Sequence, residues 1–178
     1  MKYLKFRDVK SPERWTKVSS WIDFFAPNNF LDVKDEIIFT PKNTLNQERL
    51  RDECIEHDAI RIDPWNWVLI PSWLKVILPK WDKNSTYEMV LYNKSWVAVK
   101  QNLLVGAQVI DNDYRWEFNI HLINTGESST FIEAWQKVSQ WIVRKVELVN
   151  LYEINEKEFA ENADTERWDW WFGSTWKF

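Results

Sequence analysis

Glycine is almost absent from this chain, whereas tryptophan is abundant. The 178 residues include three glycines and fourteen tryptophans. Proteins contain about 7% glycine on average, because tight turns use it to reach left-handed backbone angles. If every tryptophan were read as glycine, the glycine content would be ordinary for a turn-rich β protein. The chain therefore either folds with few tight turns or places tryptophan where such turns occur.

Short runs of β-branched and aromatic residues dominate the chain and predict a β-rich domain, either a barrel or a jelly roll. The predicted strands are Asp35–Thr40, Ala59–Asp63, Val68–Ile70, Leu74–Leu78, Tyr87–Tyr92 and Val97–Lys100. Leu103–Ile110 and Trp116–Ile123 flank a polar turn and predict a hairpin. The segment Phe131–Tyr152 is ambiguous, since Trp135, Val138, Trp141 and Ile142 have helical spacing.

Polar stretches divide the chain into a predicted domain, an insertion and an arm. Residues 1–155 are predicted to form the β domain, and residues 41–58 to form an insertion within it. Leu45–Glu56 has the composition of a helix. Residues 156–178 are polar and then aromatic, which is typical of a C-terminal arm.

Charge and cysteine content restrict the class of protein. The chain has 23 basic and 27 acidic residues, a net charge of −4. This balance opposes general nucleic-acid or membrane-surface binding, which needs a basic surface. Cys54 is the only cysteine, no 18-residue apolar run exists, and the first ten residues lack a signal-peptide pattern. We therefore expect a cytoplasmic protein. His57 and His121 are predicted to be structural, because neither has a partner at metal-ligand spacing.

One segment carries a specific resemblance to a known family. Val105–Thr125 contains V-I-D-N-D-Y-R-W-E, which resembles the third motif of the dUTP diphosphatases, with Trp116 in place of a glycine. Four further segments resemble the other motifs in the family's order: Ser19–Phe25, Asn93–Ala98, Ala134–Ile142 and Arg167–Phe178. Tryptophan stands at a family glycine in each of them, and also at Trp73 and Trp81 between motifs. The resemblance extends from Ser19 to Phe178.

The resemblance implies an all-β fold of the jelly-roll or β-barrel type, assembled as a homotrimer with a C-terminal arm. In the family each active site is shared between subunits. The reaction is hydrolysis of dUTP to dUMP and pyrophosphate with Mg²⁺. Asp111 would be the general base that activates water, and Tyr114 would pack under the deoxyribose. Asp23 would support the Mg²⁺ shell through a water molecule.

The remaining substrate-binding positions that the resemblance implies fall into three groups. Those on the phosphate side are Lys94, Ser95, Trp96 and Gln140. Gln108, Val109 and Ile110 would lie beside the uracil. The arm would contribute Arg167, Phe172, Gly173, Ser174 and Thr175, with Arg167 gripping the γ-phosphate through its planar fork.

Some positions depart from the family pattern. Lys94 replaces an arginine, which keeps the charge but loses the bidentate fork. Gln108 replaces a glycine beside the uracil site. Taken without the motifs, Asp111 and Asp113 would indicate an Asx turn, and Lys94-Ser95 a solvated turn.

Two explanations account for the tryptophans. The gene uses UGA for glycine and has been translated with a table that reads UGA as tryptophan, or the tryptophans are real. A non-glycine residue at left-handed φ costs about 1–2 kcal/mol, and overpacking a tight site adds about 1–3 kcal/mol. Ten such sites would exceed the stability of a typical domain, about 5–15 kcal/mol. The magnitudes favour the first explanation.

Two alternatives remain beside a dUTP diphosphatase. The first is a related nucleotide enzyme of the dCTP deaminase type, although Asp111, Tyr114 and the segment Phe172–Thr175 are diphosphatase features. The second is a catalytically dead, dUTPase-like regulator that binds partners, which follows if the tryptophans are real. Turnover of dUTP separates them.

Overall fold

The computed structural model describes residues 1–40, 44–56 and 58–162. The chain divides into two compact units, Met1–Leu148 and Val149–Phe178. The strands are β1 Lys2–Lys5, β2 Ile22–Phe25, β3 Ile38–Phe39, β4 Ala59–Ile62, β5 Trp67–Pro71, β6 Leu74–Ile77, β7 Ser85–Asn93, β8 Leu103–Val105, β9 Val109–Ile110, β10 Asn119–Asn124, β11 Thr130–Glu133 and β12 Lys137–Glu147. The helices are a 3-10 helix at Leu31–Glu36, α1 Thr44–Cys54, α2 Ser95–Gln101 and, in the second unit, α3 Glu156–Asn162.

All the strand pairs are antiparallel, and they form two larger sheets. One sheet has the order β2-β12-β7-β9 and the other the order β3-β5-β10-β8. Two smaller pairs, β1 with β6 and β11 with β4, complete the described strands. β7 and β12 are the longest and pair from Ser139 opposite Asn93 to Glu147 opposite Ser85. The predicted all-β fold is confirmed.

Apolar side chains from the two larger sheets meet in one core. Phe24 on β2, Phe118 before β10 and Trp141 on β12 are all buried. The rings of Phe24 and Trp141 stack with centroids 5.2 Å apart, and Phe118 lies 4.9 Å from Phe24. This packing fixes β2 and β12 against each other, and so fixes the residues that these strands carry on their outer faces.

The structure differs from the sequence pattern at three places, because tertiary pairing overrides local preference. Val97–Lys100 is not a strand but lies in α2, where only Val97 is buried. The ambiguous segment Phe131–Tyr152 contains most of β11 and all of β12, with Trp135 in the turn between them, although its residues have helical spacing. The predicted hairpin is confirmed in part: its two segments pair through β8 and β10, but the residues next to Asp111 form β9, which pairs with β7. The predicted helix Leu45–Glu56 is confirmed as α1.

Backbone angles bear directly on the tryptophans. Four non-glycine residues of the described chain have positive φ, and three of them are tryptophans: Trp65 at 62°, Trp73 at 58° and Trp135 at 63°. The fourth is Asn102 at 53°, a residue type that tolerates this region. These three tryptophans therefore occupy backbone positions suited to glycine.

Trp141 differs from these three. Like Trp73 it is buried in the core, but it is not among the positive-φ residues, and its ring stacks on Phe24. A glycine here would leave a cavity the size of an indole in the core. The packing and backbone angle of Trp141 therefore favour a genuine tryptophan at this position, against the interpretation of all fourteen tryptophans as glycines.

None of the helices in the described part of the chain has the length and apolar character needed to cross a membrane.

Candidate active site

A buried carboxylate and two lysines form the centre of the first half of the site. Asp23 on β2 is 5% exposed. Lys94 Nζ donates a hydrogen bond to Asp23 Oδ1 at 2.7 Å, and Lys137 Nζ lies 3.0 Å from Asp23 Oδ2. Lys137 also pairs with Glu13 at 2.7 Å. The β2–β12 pairing places Asp23 opposite Gln140, which brings a second predicted site residue to the same row of the sheet.

A small cavity of about 120 Å³ lies beside this centre. Its lining residues are Trp15, Ser19, Trp21, Asp23, Lys94 and Gln140. The Gln140 amide donates to the Asn93 carbonyl at 3.0 Å, which holds the side chain beside Lys94. Three predicted site residues are thus brought together, and two indoles narrow the space that they share.

Ser95 and Trp96 follow Lys94 at the start of α2. Both are exposed, and the Trp96 indole is 65% exposed with the Lys100 ammonium 5.7 Å from its ring centroid. The chain enters α2 from an extended Lys94, with φ −84° and ψ 126°. Ser95 therefore lies at the surface at the start of α2, next to Lys94 in the sequence.

The predicted uracil segment lies along the edge of the same sheet. The N–H of Leu91 donates to the Gln108 carbonyl at 2.9 Å, and Val109 and Ile110 continue this pairing as β9. Gln108 is exposed, and its amide turns back to the Val105 carbonyl at 3.3 Å. The segment thus presents an open edge that no other strand of the described chain covers.

Asp111 lies in a separate, larger cavity. Its backbone carbonyl accepts a hydrogen bond from the Tyr114 N–H at 3.2 Å, closing a turn that exposes the carboxylate. The cavity measures about 430 Å³ and is lined by Trp81, Thr86, Asp111, Asn112, Asp113 and Leu148. Asn112 ties the turn to the rest of the chain through the Pro79 carbonyl at 3.0 Å. The predicted base is therefore solvent-accessible and held on a fixed turn.

Tyr114 is fixed by its own hydroxyl group. The hydroxyl donates to the Glu117 carbonyl at 2.7 Å, and the ring is half-buried against the core. The Trp116 indole meets the Tyr114 ring edge-on, with centroids 5.6 Å apart. The orientation of the Tyr114 ring is thus set before any ligand binds.

The two halves of the site lie far apart within one chain. Ile110 is opposite Met89 on β7. Along β7, Met89 is three residues from the row of paired residues that contains Asp23. Asp111 follows Ile110 in the sequence. With about 3.4 Å per residue and about 4.8 Å per strand spacing, Asp111 and Asp23 are separated by about 14 Å along the strands and about 14 Å across them, or about 20 Å in total. One chain therefore does not bring Asp111 to Lys94.

Two residues of this region were not predicted from the sequence. Lys137 lies in the fourth motif and could have been identified from its charge at that position. Glu117 in the third motif accepts a hydrogen bond from the Trp73 N–H at 2.6 Å. This bond holds the turn at Trp73, whose φ is positive, against the segment that contains Tyr114. Burial raises the pKa of the Glu117 carboxyl, and that hydrogen bond opposes the rise.

The described residues do not form a self-sufficient Mg²⁺ site. Both carboxylate oxygens of Asp23 face lysine ammonium groups. In the part of the chain that the structure describes, no group of three or more His, Cys, Asp or Glu residues could hold a metal ion. Mg²⁺ prefers six oxygen ligands, several of them water. The expected role of Asp23 would therefore require its lysines to move.

The arm residues Arg167, Phe172, Gly173, Ser174 and Thr175 lie outside the described residues, as does His57.

Comparison with known proteins identifies the family. The family model described as dUTPase matches residues 74–176. The deoxyuridine 5'-triphosphate nucleotidohydrolase of Hydrogenobaculum sp. (strain Y04AAS1) is 30% identical over 124 residues, which cover 68% of this chain and 78% of the relative. That of Chlamydia muridarum is 33% identical over 110 residues, covering 61% of this chain and 72% of the relative.

Solved structures show the same fold. A Staphylococcus bacteriophage 80alpha dUTPase mutant with dUpNHpp superposes with a TM-score of 0.68 at 17% identity, covering 98% of this chain and 96% of that chain. A mutant dUTPase from phage phi11 of S. aureus, in which the coordination of a structural Mg(II) ion was described, has a TM-score of 0.62 at 14% identity, covering 87% and 96%. The family match spans more than half of the chain and includes the Asp111 turn. The chain belongs to the dUTPase family.

Proposed function

We propose that this protein hydrolyses dUTP to dUMP and pyrophosphate. The observation that carries the proposal is the exposed Asp111 carboxylate at a cavity of about 430 Å³, in a chain of the dUTPase family. Tyr114 follows three residues later with its ring orientation fixed. A carboxylate at a cavity, followed in the same turn by an aromatic ring of fixed orientation, suits a water-activating base near a sugar site.

In the proposed reaction, Asp111 accepts a proton from a water molecule while the water oxygen attacks the α-phosphorus. The bond from the α-phosphorus to the oxygen that bridges to the β-phosphate breaks, and pyrophosphate leaves with that electron pair. The proton passes from Asp111 to solvent after product release. Exposure of the carboxylate keeps it within reach of water.

The phosphate half would come from Lys94, Ser95, Trp96 and Gln140. Lys94 supplies positive charge, and the exposed Ser95 hydroxyl supplies a donor beside it. Gln108, Val109 and Ile110 would contact the uracil along the open sheet edge. Arg167, Phe172, Gly173, Ser174 and Thr175 would close over the nucleotide from the arm, as the family motif implies.

The separation of about 20 Å between Asp111 and Asp23 supports a site shared between copies of the chain. A nucleotide α-phosphate must contact the water on Asp111 and the Lys94–Ser95 pair together. Because one chain holds these groups far apart, a second copy has to supply one of the halves. We therefore propose the homotrimer of the family, with Asp111 of one subunit facing Lys94 of its neighbour.

We include Mg²⁺ in the proposal on the basis of the family. The ion would enter with the triphosphate, whose oxygens and bound water provide most of its ligands. Asp23 could reach such a shell through water once its lysines contact phosphate. No step above depends on a protein cage for the ion.

A subunit-mixing experiment tests the shared site. Asp111→Asn removes the base, and Lys94→Gln removes a phosphate cation, so each variant alone should be nearly inactive. When the two variants are unfolded together and refolded, a fraction of sites combine an intact Asp111 with an intact Lys94. We expect dUMP production to return to a substantial fraction of the parent rate. All chains should carry glycine at the tryptophan positions other than Trp141.

The control is a mixture of Asp111→Asn with the double variant Asp111→Asn, Lys94→Gln, in which no site can be complete. Absence of recovery in the first mixture, with trimers formed in both, would exclude a site shared in this way. If the unsubstituted glycine-bearing chain gives no dUMP from dUTP, the proposed function itself is wrong.

A further inference from the structure

We propose that Lys137 is a second polyphosphate-binding cation, held together with Lys94 on the buried Asp23 carboxylate until polyphosphate replaces Asp23 as their partner. This inference rests on the proposed function, because it assigns a further residue to the phosphate half of the same site. Neither the motif resemblance nor the cavity lining assigned this role to Lys137.

The first argument is the geometry of the carboxylate. Asp23 is 5% exposed, and each of its oxygens faces a different ammonium, Lys94 at 2.7 Å and Lys137 at 3.0 Å. The side chains of these lysines are 25% and 27% exposed, so part of each side chain remains accessible from solvent. Asp23 therefore gathers two cations at one accessible point.

The second argument is charge. Two lysines share one buried carboxylate, and the other carboxylate in the cluster, Glu13, has a side chain that is 54% exposed. An ammonium has three donors, and the described contacts use one donor of Lys94 and two of Lys137. A polyphosphate offers several anionic oxygens to these donors, and hydrogen bonds between charged partners are the stronger kind. Exchange of the lysines from Asp23 to phosphate is thus favoured by both charge and donor number.

The third argument is that Lys137 is held at this point by its surroundings. Its ammonium lies 5.4 Å from the Trp15 ring centroid and 5.5 Å from that of Phe25. Trp15 also lines the cavity beside Lys94. The hydrogen bond to Glu13, and then those to Asp23, raise the pKa of Lys137, so the side chain stays cationic at neutral pH. A fixed, charged ammonium next to the cavity is suited to anion binding.

The test uses inorganic tripolyphosphate as the probe, without divalent metal and at low ionic strength. Binding to the 178-residue chain with its fourteen tryptophans is measured by titration calorimetry. We expect Lys137→Gln to weaken binding by about ten-fold, the scale for one charged hydrogen bond. Lys137→Arg should stay within about three-fold of the parent, because it keeps the charge.

Lys145→Gln is the matched control. Lys145 lies on the same strand, eight residues away and exposed, so it carries the same charge change outside the site. It should bind tripolyphosphate like the parent. If Lys137→Gln also binds like the parent, even with a lowered melting temperature, Lys137 is only a structural partner of Glu13 and Asp23, and the proposal is wrong.

Asp23→Asn tests the exchange. Because the carboxylate competes with phosphate for the two lysines, we expect Asp23→Asn to bind tripolyphosphate as tightly as the parent or more tightly. Weaker binding would contradict the exchange. Neither result depends on Asp111 or on turnover of dUTP, so failure here is distinguishable from failure of the proposed function.

Discussion

The backbone N–H of Ala107 donates a hydrogen bond to Nδ1 of His121 at 3.1 Å. Gly106 permits this approach, because a Cβ at that position would lie 2.2 Å from the same nitrogen. Nε2 of His121 is buried without a partner. The contact anchors the start of the segment that runs on to Gln108 and Asp111.

This contact predicts loss of stability in mild acid. Burial lowers the pKa of His121 below its usual 6.5, so the unfolded chain takes up this proton more readily than the folded chain. The contribution of the neutral His121 imidazole to the free energy of unfolding is fully present above about pH 6.5. It is lost as the pH falls below that value. Protonation of Nδ1 would also end its role as an acceptor.

We expect His121→Gln to flatten this dependence, because glutamine does not titrate. The free energy of unfolding in urea is measured at pH 7.5 and pH 5.5. The change between the two pH values is then compared between the parent and His121→Gln. His57 is the other histidine, so His57→Gln is the control. An equal loss of stability between the two pH values in parent and His121→Gln would show that other groups cause it.

Asp111→Asn should lower kcat for dUTP by at least about 10²-fold, the scale for a lost general base. KM should change much less, since asparagine has nearly the same shape. Asp113→Asn is the matched control, because Asp113 lines the same cavity two residues away. Steady-state kinetics of the three glycine-bearing proteins are decisive. A near-normal kcat for Asp111→Asn would remove it from the role of base.

Tyr114 should determine discrimination against UTP, since an aromatic face under the sugar leaves no room for a 2′-hydroxyl. Tyr114→Ala should raise kcat/KM for UTP relative to dUTP. Tyr114→Phe keeps the ring and loses only the hydrogen bond to the Glu117 carbonyl, so its ratio should stay near that of the parent. If the alanine variant has the parent ratio, another residue recognises the sugar.

The backbone angles predict that replacing tryptophan with glycine has opposite effects on stability at two positions. Trp65 is 69% exposed with φ 62°, so Trp65→Gly should raise stability by about 1–2 kcal/mol through relief of the left-handed strain. Trp65→Ala should gain less, because it keeps a Cβ. Trp141→Gly should lower stability by about 3–5 kcal/mol, as for other large core truncations. Urea unfolding of the three variants measures both signs.

The same contrast predicts the coding sequence. We expect UGA at Trp65, Trp73 and Trp135, whose φ values suit glycine, and UGG at Trp141, whose indole fills the core. The three written glycines should be encoded by GGN codons. The gene sequence at these codons is the measurement, and UGG at the three positive-φ positions would refute the recoding.

Sequence alone predicted the β fold and helix α1, because strand-forming runs and one polar helical run are local signals. It failed at Val97–Lys100, where β-branched residues lie in α2, and at the spacing of Trp135 and Trp141, which belongs to a turn and a strand. It also missed Lys137, although its charge within the fourth motif was a usable signal; its contact with Asp23 appears only once β2 pairs with β12. The distance between the two halves of the site depends on the register of strand pairing. The sequence motifs carry no information about that register.

Hydrolysis of dUTP by the 178-residue chain, in its glycine-bearing form and in its tryptophan form, tests the central claim most directly. Glycine at every tryptophan position except Trp141 should restore the turns around Asp111 and Lys94 and the arm motif. The account predicts that this form releases dUMP and pyrophosphate with kcat/KM far above that of the tryptophan form. No dUMP from the glycine-bearing form, or equal kcat/KM in the two, would contradict it.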